Sequence, residues 1–170
     1  MASRGRRADA GHPRQPGSLL LGPVLRDVVG ILVQGALLSV VAVVFFGLEA
    51  PPEGLVIGVV IVGLLGGAFS ALSYGAAQKL KSEDSFAPVV NGLILPVLLL
   101  SGILLPMDLA PGWLQTLADA NPLTHIVDGV RAMYRGEVGS TVAWLGAALT
   151  LGLLVLGVFH GARVFRKESA

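Results

Sequence analysis

Of the 170 residues, 54% are hydrophobic and only 14% are charged. That is too little charge to cover the surface of a water-soluble domain, so the composition points to a membrane protein. The net charge of +1 is uninformative by itself, but the absence of Cys excludes disulfide frameworks, thiol catalysis and Cys-ligated metals.

The chain opens with "MASRGRRADAGHPRQPGS", residues 1–18, rich in Arg, Gly and Pro and without apolar periodicity. It reads as a disordered cytoplasmic tail. The apolar run behind it is too long for a signal peptide and lacks a small-residue cleavage pattern. Arg6-Arg7 is not followed by the apolar residues of a twin-Arg signal. The remainder, 19–170, reads as one all-α integral membrane domain. Charge-free runs cover 28–48, 54–78, 85–107 and 138–162. Each supplies the roughly 20 apolar residues needed to cross about 30 Å of hydrocarbon. Four transmembrane helices are the economical reading, because backbone groups in lipid must pair within their own span.

Charge placement orients these spans. Basic residues gather in the tail (Arg4, Arg6, Arg7, Arg14), at Arg26, in "KLKSED" (Lys79 and Lys81 beside Glu83 and Asp84), and at Arg163, Arg166 and Lys167. The connection "EAPPEG" carries Glu49 and Glu53 and no basic residue. The positive-inside rule therefore predicts both termini and "KLKSED" in the cytoplasm. "EAPPEG" and the stretch from Ser101 to Met133 are then outside, with Phe45, Phe46, Trp113, Tyr134 and Trp144 as an aromatic belt near the outer boundary.

That outer stretch, "SGILLPMDLAPGWLQTLADANPLTHIVDGVRAM", predicts two short interfacial helices between spans three and four. Pro111 opens the first, over 111–119, with Trp113, Leu114, Leu117 and Ala118 on its apolar face. Asn121-Pro122 opens the second, over 122–135, with Asn as N-cap and Pro at the first helical position. Its apolar residues are Leu123, Ile126, Val127, Val130, Met133 and Tyr134; Thr124, His125, Asp128, Arg131 and Arg135 fall mainly on the opposite face, and Gly136 ends it.

Within the spans, Gly63, Gly67, Ala71 and Gly75 form a small-residue stripe, and Gly157 and Gly161 a shorter one. Such spacing lets helices approach closely in lipid, and ordinary packing outweighs a specific dimer seam. Pro88 and Pro96 flank Asn91 in the third span, where a kink beside a translocation path or a merely tolerated one both fit. Gln34, Ser39, Ser70, Ser73, Asn91, Ser101 and Thr150 are expected to face the bundle. His125, Asp128 and Arg131 share one side of a helix, but no activated nucleophile accompanies them. An Asp128–Arg131 ion pair is the expected role, worth a few tenths of a kcal/mol. Ser101 and His160 belong near opposite membrane faces and form no dyad. The three His residues make no metal-ligand pattern. There is no phosphate-cradling loop for ATP and no basic surface interleaved with aromatics for nucleic acid.

From Asn91 onward the chain resembles the ABC-2 family, the permease subunits of type-2 ABC exporters, and particularly the daunorubicin-resistance-type efflux permeases. The resemblance rests on "LPVLLLSGILLPMDLAPGWLQTLADANPLTHIVDGVRAM". Leu-Pro falls at Pro96, Ser-Gly at Ser101 and Gly102, and the Pro-Met-Asp turn at Pro106 and Asp108. Pro-x-Trp-Leu supplies Pro111, Trp113 and Leu114; Asn-Pro-Leu-Thr supplies Asn121, Pro122, Leu123 and Thr124; Asp-x-x-Arg supplies Asp128 and Arg131. Upstream, "LLLGPVLRDVVGILVQGALL" resembles the start of the family's third span, so the likeness covers about 19–167.

Such permeases usually have six spans, and this chain resembles the last four; the Arg/Pro-rich start reads as an unrelated leader. On that reading, the two helices that would normally cover the face bearing Gly63–Gly75 are missing, leaving that face exposed. The resemblance implies a subunit of a bacterial plasma-membrane exporter of a hydrophobic drug, lipid or related molecule. It would hold no cofactor, with ATP bound by a separate ATP-binding subunit, and would pair with a second permease copy, identical or not. The outer helices would form an extracellular gate region, with Lys79, Lys81, Glu83 and Asp84 a secondary cytoplasmic contact. The alternative is a non-transporting four-helix membrane protein, such as an assembly or immunity factor, or an inactive permease fragment.

Overall fold

In the computed structural model, which describes residues 16–80, 83–104 and 109–168, all regular structure among the described residues is helical. The elements are α1 (Pro16–Phe46), α2 (Pro52–Leu80), α3 (Glu83–Leu100), α4 (Gly112–Asp119), α5 (Pro122–Tyr134) and α6 (Thr141–Glu168). Residues 16–18, expected in a disordered tail, are the first turn of α1. Pro16 suits that place, because the first helical N–H groups have no intrahelical acceptor.

Among the described residues, three helices are long and apolar enough to cross a membrane: Gly22–Phe46, Pro52–Ala77 and Thr141–Val164. The third expected span, 85–107, is corrected at its end. Its helix stops at Leu100, and Ser101 and Gly102 turn the chain, with Gly102 at φ 74°. An apolar run says nothing about this, whereas a left-handed residue ends a helix. Eighteen residues rise about 27 Å, just short of a hydrocarbon core.

The other ends follow from local chemistry. Gly47, at φ 65°, closes α1. Ser140 caps α6, its Oγ accepting the Ala143 N–H at 3.2 Å. Gly136, at φ 84°, closes α5: the Glu137 N–H donates to Ala132 O at 2.9 Å and the Gly136 N–H to Met133 O at 3.1 Å. These are the paired bonds of a Schellman ending.

α2 is the centre of the packing, with α1 and α6 against it and α5 against both α2 and α6. The small-residue stripe makes this possible. Gly63 faces Leu32 of α1, Gly67 faces Val28 of α1 and Leu154 of α6, and Ala71 is fully buried. A Cβ on Gly75 would lie 3.3 Å from the Gly161 Cα. The expectation of an exposed stripe is therefore corrected: α1 and α6 cover it. Between apolar helices in lipid, close backbone approach is the main source of association, while Leu37, Val40, Val44, Val155 and Leu156 face outward.

α5 departs from its expected character. Its apolar face does not lie open at a surface: Leu123, Ile126, Ala132 and Met133 join Ile61 and Ala143 in the main core cluster. Gly129 of α5 and Gly146 of α6 meet backbone to backbone. Thr124, expected on the polar face, is buried. Tyr134, expected in the aromatic belt, packs its ring against Gly58 of α2. Phe45, Phe46, Trp113 and Trp144 are exposed. Of the polar residues expected to face the bundle, Ser39, Ser70, Ser101 and Thr150 make hydrogen bonds, whereas Gln34, Ser73 and Asn91 lie on the outside of the chain.

Candidate functional site at the end of α3

A helix ends with four carbonyls that lack intrahelical donors, and in apolar surroundings each needs a partner. For α3 the partners come from Ser101 and from α5. The Ser101 N–H donates to Val97 O at 3.0 Å, and its Oγ donates to Leu98 O at 2.7 Å. Asn121 Nδ2 donates to the same Val97 O at 3.0 Å, and Thr124 Oγ1 donates to Leu100 O at 3.0 Å. Two turns further along α5, Arg131 Nη2 donates to the carbonyl of buried Gly102 at 2.7 Å. Three side chains of one helix segment thus fasten the broken end of another.

Asn121 is the junction of this arrangement. Its Oδ1 accepts the Leu123 N–H at 3.1 Å, which caps α5, and its own N–H donates to Ala118 O at the end of α4. Pro122 holds the first helical position. His125 Nε2 lies 2.9 Å from Asp119 O, tying the same corner. Asp128 pairs with Arg131 at 3.3 Å, both about half exposed. The pair steers a guanidinium that is already bonded to Gly102, and adds little energy alone. Beyond the end of α5, Arg135 holds the Glu137 carboxyl below the usual carboxylate range through a 2.9 Å hydrogen bond. That contribution is present above the ordinary carboxylate value and is lost as pH falls through the lowered one.

The remaining candidates are placed less centrally. Pro96 lies in α3 and deprives the Gly92 carbonyl of its helical donor. Pro111 precedes α4 without a side-chain cap, and Trp113 on α4 is 68% exposed, open to a partner rather than packed. Pro106 and Asp108, and the side chains of Lys79, Lys81, Glu83 and Asp84, lie outside the described residues. Among the described residues no His, Asp and Glu group is placed to hold a metal.

The family match covers residues 12–134, from the region of α1 through α5, and is to the ABC-2 type transporter family. The chain belongs to that family. Among curated relatives, this ABC-2 chain is 28% identical over 161 residues to the "Daunorubicin resistance ABC transporter permease protein DrrB1" of Streptomyces coeruleorubidus, covering 92% of the chain and 55% of the relative. It is 33% identical over 92 residues to the "Putative transport permease ycf38" of Cyanophora paradoxa, covering 54% of the chain and 32% of the relative. To "Nodulation protein J" of Rhizobium leguminosarum bv. trifolii it is 30% identical over 108 residues, covering 64% and 41%. The ABC-2 chain thus spans about half the length of the first of these relatives and less of the others. No solved structure matches it.

One polar cluster of this chain lies away from the expected sites. Asp27 of α1 lies inside a membrane-length helix, where Ser70 Oγ donates to its Oδ2 at 2.6 Å and Tyr74 Oη at 3.1 Å. An acidic residue next to Arg26 at the edge of an apolar run was the available signal. The cluster fastens α1 to α2.

Proposed function

We propose that this chain is part of the permease subunit of a bacterial ABC exporter that moves a hydrophobic drug, lipid or related molecule. Energy comes from a separate ATP-binding subunit, and a second permease copy completes the pathway. α3 is a membrane span, both termini are cytoplasmic, and the end of α3 with α4 and α5 forms the outer gate. The observation that carries this reading is the strap itself. Residues up to 29 positions apart, Arg131 and Gly102, meet in one hydrogen-bonded assembly together with Asn121 and Thr124. Such an assembly makes the end of a span and an outer helix move as one body, as a gate requires. Family membership and the permease relatives support the same reading.

Two measurements test it. Single Cys at Pro52 or Gln115 should react with a membrane-impermeant maleimide in intact cells, and Cys at Ser169 only after lysis. Reaction at Ser169 from outside would reverse the orientation. Affinity purification from crosslinked host membranes should recover an ABC ATP-binding subunit. Vesicles holding both should then accumulate a hydrophobic dye only with ATP. Recovery of the chain without any such ATPase would instead support a non-transporting membrane protein.

A further inference from the structure

Two cavities flank the crossing of α1 and α2 where α5 ends. The larger, about 500 Å³, is walled by residues such as Ala36, Val40, Val43, Leu55 and Val56. The smaller, about 320 Å³, reaches Tyr134. Ser39 and Val59 line both. At this shared wall Ser39 Oγ lies 3.2 Å from Tyr134 Oη. Two hydroxyls joined by one hydrogen bond keep a second hydrogen and further lone pairs.

We propose that these cavities form a binding site for a neutral amphipathic small molecule reaching it from the bilayer. Its apolar body occupies the larger cavity, and a hydroxyl or carbonyl bonds the Ser39–Tyr134 pair. The volumes fall within the roughly 300–1,000 Å³ typical of ligand pockets, with apolar walls and few polar groups. No charged side chain lines either cavity, and an unpaired charge there would be costly. Access lies through the exposed side chains of Val40, Val44, Val56 and Val60 on the outer surfaces of the two helices. Tyr134 belongs to α5 and is seated by Gly58, so a bonded ligand touches the helix that straps α3. A role in export rests on the function proposed above; binding does not.

The purified chain in lipid nanodiscs is exposed to two photoprobes of equal length, a diazirine-bearing octanol and a diazirine-bearing octane. Octanol adducts on residues 36–44 and 55–60 should exceed octane adducts by roughly 2- to 10-fold, the worth of one neutral hydrogen bond. In Ser39→Ala/Tyr134→Phe, which keeps the ring against Gly58, that ratio should fall to about one. Ala36→Trp should reduce labelling by both probes. Equal labelling of the wild type by both would mean indifferent lipid contact, and absence of labelling would mean that protein covers the cavity; either overturns the site. The readout uses neither ATP nor transport, so failure of the exporter reading would leave the adduct ratio standing.

Discussion

Gly129→Ala should lower the thermal stability of the purified chain by about 1–3 kcal/mol, the usual cost of overpacking a close contact. A Cβ there would lie 2.9 Å from the Gly146 Cα and 3.1 Å from the Val142 carbonyl oxygen. Both are backbone atoms, so no rotamer change relieves the clash, and α5 must move off α6. Gly146→Ala meets the same obstacle from the other side, 3.0 Å from the Gly129 Cα and 3.0 Å from the His125 carbonyl oxygen. The double substitution should cost less than the two singles together, because helices already pushed apart admit the second methyl. Gly152→Ala on α6 is the control. Nothing lies within 4 Å of its added Cβ, so the gain in helix propensity leaves it neutral or up to about 1 kcal/mol stabilising. Thermal denaturation monitored by fluorescence-detected aggregation distinguishes these outcomes. Equal behaviour of Gly129→Ala and Gly152→Ala would mean that α5 and α6 do not meet there.

Thr124→Val should loosen the end of α3 without emptying any space. Valine keeps the branched shape of the buried threonine but leaves the Leu100 carbonyl without its donor. An unmet buried group costs about 1–3 kcal/mol, a roughly 5- to 150-fold shift in a local opening equilibrium. Asn121→Asp separates two roles of one side chain. A carboxylate still caps α5, but it replaces the donor to Val97 with an oxygen facing an oxygen. Ser101 is fully buried and the chain has no Cys, so Ser101→Cys is a suitable reporter. Its maleimide labelling should accelerate in both strap variants. Unchanged labelling in Thr124→Val would show that the hydroxyl does not hold this end closed.

The helices and their punctuation were legible because their causes are local. Asn121-Pro122 marks the start of α5 and Gly136 its close, each by a preference written in the residue itself. The early stop of α3 was not legible, since the run continues apolar to Leu105 and hydropathy carries no information on φ. Asn121 was visible as the cap of α5, and Thr124 and Arg131 as part of its polar face, but a polar face is ordinarily assigned to water. Its partners are backbone carbonyls at Val97, Leu100 and Gly102, which leave no mark on composition. The glycine stripe was visible as small residues at helical spacing, whereas its coverage by α1 and α6 depended on which faces those helices turn inward.

Because the strap grips main-chain oxygens, it is indifferent to what side chains α3 carries. Ile94, Leu95, Val97 and Leu99 are exposed on that helix and take no part in the fastening as side chains. They can be exchanged for other apolar residues, changing the surface that α3 presents, while α5 keeps the same grip. The positions that cannot drift freely are Gly102, through its backbone conformation, and the three donors on the other helix. On the proposed exporter function, cargo selectivity and mechanical attachment are thereby written on different residues, and a variant can change the first without disturbing the second.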